Sequence, residues 1–455
     1  MIIADYAILC DTISRMTTEK PTPHQNLLKI SERAVHAIGV FVYKHPKLGV
    51  VVRRATDPII TTLLAKKYPV PQRTLPTTQK KRLFIVMTYL GVGGVEQVML
   101  NIIKGFDRSK YDLQLVTTVK HDNPWHDRFS KHVDDILHLE NDGLFKPHQP
   151  NAFKRVFLSS YIIDSNPHAI LMTNSLLFYH LLPRLRKGLP SLPIYDILHT
   201  HGTPDQNDAY LKLSKPFDKY LTKRIVINEY LKQYYVKKYR INPEKIKVIY
   251  NNITPIGKIS KMTNSQEKIF NKHLGKSIVT YIGRLELDKS PVRLVNIAKQ
   301  LLEEKTAAVI IVVGDGSQME QLKNQSRRDG TLGKTIELIG YSDCPARAAQ
   351  LSNYTLLVST MEGLPMSILE SMSMSVPSIA SAVGGIPEII EDKKDGFLVP
   401  IDADSEQKTV DEFTKAIVTA SSLDSKALTK MQKSAKQKIT QKFSSMAEEY
   451  NAIVD

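Results

Sequence analysis

Short apolar runs recur along the second half of the chain, each closed by a turn and followed by a helix-like stretch. The runs are Ser277–Ile282, Ala307–Val313, Ile336–Gly340, Thr355–Ser359, Ser378–Ser381 and Gly396–Val399. A helical pattern over residues 290–304 follows the first, and a Gly314-Asp315-Gly316 turn leads from the second into another. Runs this short suit strands buried on both faces, and helices between them impose parallel crossovers. The second half therefore reads as a parallel, doubly wound sheet, an α/β fold. The first half repeats the pattern at Arg82–Thr88, Leu113–Val119, Ala169–Met172, Ile194–Leu198, Arg224–Ile227 and residues 246–252.

Ligands of such sheets bind beyond the strand carboxyl ends, so the chemistry belongs in the loops that follow the strands. The run at 277–282 ends in Gly283 and delivers Arg284 and Lys289, and the run at 355–359 delivers Glu362. In Glu362-Gly-Leu-Pro-Met-Ser-Ile-Leu-Glu370, Pro365 suits the first position of a helix, because its missing N–H would be unsatisfied there anyway. Glu362 then lies in the loop and Glu370 about one turn inside the helix. At helical rise the two carboxylates stand roughly 12 Å apart, about the span of a nucleotide-diphosphate sugar from ribose to hexose. The helix start between them offers free N–H groups and a positive dipole end, which suits a diphosphate. Taken alone, the segment fits a surface helix with two solvated glutamates better than a site. Convergence of Arg284, Lys289, Glu362 and the Gly384-Gly385 turn at one sheet edge favours a site.

In chain order the motifs are Gly93-Gly94-Val95-Glu96, His199-Thr200-His201-Gly202, Gly283-Arg284 with Lys289, Gly314-Asp315-Gly316, and Glu362 to Glu370. Over residues 82–440 this set resembles the retaining glycosyltransferases of family 4, also called group 1. The resemblance implies the GT-B fold, two Rossmann-like doubly wound domains facing a cleft. It implies that Arg284 and Lys289 clamp the donor diphosphate, that Glu362 faces the transferred sugar, and that Glu370 holds the ribose hydroxyls. Gly363, Leu364 and Pro365 belong to the same donor loop. Gly340 and Tyr341 lie in the loop whose backbone contacts the nucleobase, and Gly93 and Gly94 lie near the donor phosphates. A histidine faces the sugar; both His199 and His201 are candidates, and His201-Gly202-Thr203 is closer to the family's form. Pro365 stands where Gly is frequent, and Ser371 and Ser373 stand where Ala is frequent. The implied co-substrate is a nucleotide-diphosphate sugar, with no further cofactor and no metal. The implied activity is transfer of its sugar to a hydroxyl of a glycan or lipid-linked acceptor, with retention, in cell-surface polysaccharide or glycolipid synthesis.

The expected domains are an N-terminal, helical extension and linker at 1–80, an acceptor domain at 81–260 and a donor domain at 261–430. A C-terminal helix at 431–455 crosses back to the acceptor domain. Leu27 to Val52 mixes apolar and basic residues, and Pro69, Pro71 and Pro76 mark the linker. Residues 253–274 read as the interdomain linker.

The chain carries a net charge of +16, with its excess in residues 1–261. A basic half suits an anionic partner, here an anionic membrane surface or a lipid diphosphate. No apolar run is long enough to span a bilayer, and the first residues, with Asp5 and Asp11, do not form a signal peptide. The expected location is cytoplasmic, with peripheral contact at the inner membrane face. Cys10 and Cys344 are the only two cysteines, too few for a disulfide framework or a zinc site. Gly91, Gly93 and Gly94 are out of register for a dinucleotide fingerprint, which disfavours a nicotinamide cofactor. His121 and His126 read as loop residues, and Asp402-Ala403-Asp404 as a chance likeness to a metal motif. Tyr230, Tyr234, Tyr235 and Tyr239 among lysines form a helix whose tyrosine stripe is half-buried; no nucleic acid is expected. Competing readings are a non-catalytic nucleotide-sugar-binding subunit, a basic nucleic-acid-binding protein and a phosphorylase on the same fold.

Overall fold

The computed structural model describes residues 73–145, 151–199, 209–253 and 261–455. The expected extension, up to residue 72, lies outside the described residues, as do Cys10 and His201. In the first lobe the strands are β1 (Lys81–Met87), β2 (Tyr111–Thr117), β3 (Asp135–His138), β4 (Ala169–Thr173), β5 (Ile194–Leu198), β6 (Lys223–Val226) and β7 (Ile246–Val248). They form one parallel sheet in the order β3-β2-β1-β4-β5-β6-β7. The second lobe holds β8 (Ser277–Ile282), β9 (Ala308–Val313), β10 (Ile336–Gly340), β11 (Tyr354–Leu357), β12 (Ser378–Ser381) and β13 (Gly396–Val399). Its parallel order, β10-β9-β8-β11-β12-β13, repeats the first six positions of the other sheet. Strand β3 has no counterpart in the sequence reading, because its Asp-Ile-Leu-His, at the sheet edge, holds only two apolar residues between polar ends.

Side-chain alternation explains why the central strands are apolar throughout. In β1, Leu83 and Ile85 pack with the helix Gly94–Lys104, while Phe84 and Val86 pack on the other face with Phe157 and Leu158. In β9, Ile310 and Val312 face one core, and Val309, Ile311 and Val313 the other. A period of two over a doubly covered sheet buries every residue of such a strand.

Two differences from the sequence reading concern helices. Residues 253–274 are not linker throughout: Asn264–Lys272 is a helix, started by a reciprocal capping box between Thr263 and Gln266. Its Phe270 is buried under β9 of the second lobe. The terminal pattern is two helices, Ser425–Lys442 and Met446–Val454. The former keeps Met431, Ala435 and Ile439 in the second lobe's core. Only the latter crosses back, where Met446, Tyr450 and Val454 are buried in the first lobe's core. Each such side chain contributes about 1.5–3 kcal/mol, so the last helix holds the lobes together. Asp455 adds bonds to Lys81 Nζ and the Tyr111 hydroxyl at 2.9 and 2.6 Å. Among the described residues no helix is long and apolar enough to cross a membrane.

Both sheets reverse their winding direction between the first and fourth strands in sequence, at β1/β4 and at β8/β11. The crevices that open there are the natural ligand sites of this topology, and the lobes set the two crevices against each other.

Candidate functional site: the interlobe cleft

A cleft of about 670 Å3 lies between the carboxyl ends of the two sheets. Its size falls within the usual range for small-molecule sites. Its second-lobe wall is three interlocked loops. The loop after β8 bonds to the loop after β9 through Leu285 N–H to Asp315 O and Gln318 N–H to Leu285 O, both at 2.9 Å. Glu286 accepts from the Ser317 hydroxyl at 2.6 Å. A Cβ on Gly314, whose φ is +152°, would lie 1.8 Å from Gly283 O, so only glycine fits there. The loop after β10 joins through Gly314 N–H to Gly340 O at 2.9 Å.

These loops carry the charged groups. Arg284 is exposed at the wall and has no side-chain hydrogen bond or ion pair among the described residues. Lys289 Nζ lies 2.8 Å from Glu362 Oε1, which also accepts from the Ser359 hydroxyl at 2.7 Å. Glu362 is 7% exposed, so these two donors replace the solvent its oxygens have lost. Helix Met366–Ser373 starts at the cleft with no side-chain cap. Pro365 is its cap rather than its first residue: with ψ of 118° it is still extended. The expected opening of backbone N–H groups to the cleft is unchanged. Glu370, inside this helix, lines the cleft, and burial raises its carboxyl to a pKa of about 7. Gly363 and Leu364 complete this wall.

Two predicted members stand back from the cleft. Gly340 ends β10 with φ of +81° and turns the chain so that Tyr341 and Ser342 face the cleft instead. The Gly384-Gly385 turn packs behind the Glu362 loop, where a Cβ on Gly384 would lie 1.8 Å from Glu362 O. Its glycines make room for backbone, not for ligand. Tyr341 is 64% exposed, an aromatic face at the rim.

The first-lobe wall carries Gly93 and Gly94 at the start of helix Gly94–Lys104. That helix start is already occupied: Glu96 accepts from its own N–H and from Gly91, and burial raises its pKa. A carboxylate, not a vacant anion cradle, stands here. The sequence reading assigned Glu96 no role; its place in the first turn after two glycines was the available signal. Trp125, the only tryptophan in the chain, also lines this wall, with the Arg128 guanidinium 3.8 Å from its ring centre. His121 is in a loop, stacked on Tyr89 at 4.3 Å. His126 is not in a loop: it opens a short helix, and its Nδ1 lies 2.9 Å from His138 Nε2. Burial lowers the His138 pKa.

His199 follows β5, lines the cleft and is 7% exposed. Burial lowers its pKa to about 4, so its ring is neutral at neutral pH. Among the described residues its Nε2 has no hydrogen-bond partner. A buried, unpaired ring nitrogen at a cleft wall is costly without a ligand group to meet it. Glu388 and Asn228, singled out by no motif, bond between the lobes behind the cleft wall.

Other candidates have structural roles. Asp402 closes a turn, accepting from Asp404 and Ser405 N–H at 2.9 and 3.0 Å. Among the described residues no cluster of His, Cys, Asp and Glu is placed to hold a metal ion. In helix Glu229–Tyr239, Tyr235 and Tyr239 are buried in the core and Tyr234 packs against it, while Tyr230 is exposed.

Comparison with known proteins gives consistent matches. A model of glycosyltransferase family 4 matches residues 92–255, and a model of glycosyl transferases group 1 matches residues 262–438; together they take in most of the chain. Over 227 residues the chain is 30% identical to the UDP-Gal:alpha-D-GlcNAc-diphosphoundecaprenol alpha-1,3-galactosyltransferase of Escherichia coli, covering 49% of this chain and 56% of that one. A glycosyltransferase of Methanocaldococcus jannaschii is 27% identical, covering 38% of this chain and 46% of that one. The chain thus spans about half the length of these curated relatives. Among solved structures, Anabaena HepE in complex with UDP matches with a TM-score of 0.63 at 17% identity, covering 82% of this chain and 97% of that one. The lipopolysaccharide outer core galactosyltransferase WaaB, in apo form, matches with a TM-score of 0.62 at 18% identity, covering 82% and 98%. These likenesses show the two-sheet GT-B fold.

Proposed function

The chain belongs to the group 1, or family 4, glycosyltransferases, and we propose that it moves a hexose from a nucleotide-diphosphate sugar to a hydroxyl acceptor with retention at the anomeric carbon. The observation that carries this reading is the Lys289–Glu362 contact at 2.8 Å in a cleft also lined by Arg284, Glu370 and an uncapped helix start. Departure of the nucleoside diphosphate is the hard step, because negative charge grows on the leaving oxygen while the sugar becomes oxocarbenium-like. Arg284, Lys289 and the N–H groups after Pro365 stabilise that charge in a site fixed by interlocked loops. Glu362 and the neutral His199 ring orient the sugar, and Glu370 accepts from the ribose hydroxyls. The leaving diphosphate takes the proton of the incoming hydroxyl. Neither a metal nor a further cofactor has a part in this scheme.

For the acceptor we propose a lipid-linked glycan, in the building of a cell-surface polysaccharide or glycolipid at the inner membrane face. A relative named for a diphosphoundecaprenol-linked substrate supports this, as does the net charge of +16. A thermal-shift screen over uridine, guanosine and adenosine diphosphate sugars tests the donor. Saturation at a hundred times Kd stabilises by about 2.7 kcal/mol, a rise of several degrees in the unfolding midpoint. Lys289→Ala should lose the response. If no nucleotide sugar shifts the parent protein, the reading fails.

A further inference from the structure

Behind the cleft wall the lobes meet in a seam, and two of its members, Asn228 and Glu388, belong to none of the motifs. Asn228, fully buried, uses both ends of its carboxamide. Its Oδ1 accepts from Leu231 N–H at 2.8 Å and so caps helix Glu229–Tyr239. Its Nδ2 donates across the lobes to Gly363 O at 2.7 Å. Gly385 N–H donates to the same oxygen at 3.0 Å. Glu388 reaches back the other way. Its carboxylate accepts from the N–H groups of Glu229 and Tyr230 at 3.1 and 2.8 Å and from the Tyr250 hydroxyl at 2.7 Å. Second-lobe acid thus meets first-lobe helix start, with the dipole favouring the charge.

Close packing completes the seam. A Cβ on Gly363 would lie 2.3 Å from His199 O, and one on Gly385 would lie 2.3 Å from both Asn228 Nδ2 and Gly363 O. The Glu362-Gly363 backbone is therefore held between the His199 backbone of one lobe and the Gly384-Gly385 turn of its own.

We propose that Asn228 and Glu388 are positioning residues that set the Glu362 carboxylate against the His199 ring across the two lobes. The inference rests on the glycosyl-transfer reading above. Neither residue lines the cleft, so both act through the backbone next to Glu362. Misplacement of a reacting group by about 1 Å costs on the order of a hundredfold in rate. The loops after β8, β9 and β10, with Arg284 and Lys289, lie outside the seam, so donor affinity depends on it less than turnover does.

The clean variant is Asn228→Asp. Aspartate keeps the helix cap but loses the donor and turns an acceptor toward Gly363 O. Turnover at saturating donor should fall about tenfold to a hundredfold, while donor Kd, read from Trp125 fluorescence, stays within threefold. Glu388→Gln, which keeps one acceptor oxygen, should recover much of the turnover lost in Glu388→Ala. Parental turnover in Asn228→Asp, or donor affinity falling in step with turnover, overturns the proposal. A donor-free arm separates this from failure of the functional reading. Spin labels at Lys237 and Lys426, in a background lacking the two native cysteines, report the distance between the lobes. The distribution should broaden in Asn228→Asp combined with Glu388→Ala, and an unchanged distribution overturns the seam. A parent that neither binds nor transfers any nucleotide sugar sinks the functional reading alone.

Discussion

The two lobes wind their first six strands in the same order but present different edges to the cleft. The second-lobe edge is short loops tied to one another by backbone bonds, with glycines where loops cross and with Arg284 and Lys289 projecting from them. The first-lobe edge is longer loops joined through rings: Tyr89 on His121, His126 on His138, Arg128 on Trp125. One edge is charged and pre-set, as stabilisation of a leaving diphosphate requires. The other presents mainly Val92, Val95, Val98 and Ile227, with Trp125 and the neutral His199 ring among them, a wall suited to the apolar faces of a sugar acceptor. On the proposed function, the difference separates donor chemistry from acceptor recognition.

The separation is tested most severely by Lys289→Ala and Glu362→Ala. Each removes one member of the 2.8 Å pair, leaving Glu362 with only the Ser359 hydroxyl or Lys289 with only Asp288 at 3.7 Å. Turnover should fall by about 10²–10³, with far-ultraviolet circular dichroism unchanged. If both variants keep near-parental turnover with the native donor, the second-lobe edge is not the donor site.

Rigidity of that edge gives the next largest effect. Gly314→Ala forces a side chain to φ of +152° and onto Gly283 O, and should destabilise by about 2–3 kcal/mol. Gly143→Ala, in a first-lobe loop with open space around it, should cost only about 1 kcal/mol. Urea unfolding of the two variants compares the edges directly, and equal losses would remove the distinction.

The same contrast explains what the sequence made legible. The second-lobe site is local: Glu362, Pro365 and Glu370 share one loop and helix, and Arg284 and Lys289 share another. Short-range turn and helix signals therefore report it. The first-lobe wall and the interlobe seam are non-local. Trp125 lies far in sequence from the glycines it faces, and the Asn228–Gly363 bond joins residues 135 positions apart. No periodicity encodes such a pairing. Gly384-Gly385 looked like a ligand turn because tight packing and phosphate approach ask for the same residue. Strand β3 escaped because polar residues at both ends leave only Ile136 and Leu137 as an apolar signal, and the helix at 264–272 because a polar amphipathic surface reads as linker.

A smaller effect separates the edges by pH. Burial raises Glu370 to about 7, whereas it lowers His199 to about 4. Between pH 8 and 6, Glu370 takes up a proton and His199 does not change. Protonation removes an acceptor for the ribose hydroxyls, so donor affinity should fall severalfold as pH drops through 7. Stability runs the opposite way: a carboxyl raised in the folded state favours that state when protonated, and this contribution is lost as pH rises through 7. Glu96 is also raised by burial, on the first-lobe side. Glu370→Gln is therefore the deciding variant, and a pH dependence of donor affinity that survives it belongs elsewhere.

The smallest effect expected is at the first-lobe edge. Trp125→Phe keeps an aromatic face over which the Arg128 guanidinium can lie, while Trp125→Ala removes it. Loss of a cation–π and stacking platform at a partly exposed site is worth about 0.5–1.5 kcal/mol. The KM for acceptor should rise severalfold in Trp125→Ala and stay close to parental in Trp125→Phe, and donor affinity by calorimetry should stay within twofold in both. A donor affinity that falls with the acceptor's would mean that Trp125 closes over the nucleotide instead. The exposed Tyr341 on the facing wall would then be its partner across the cleft, and the two edges would share the donor.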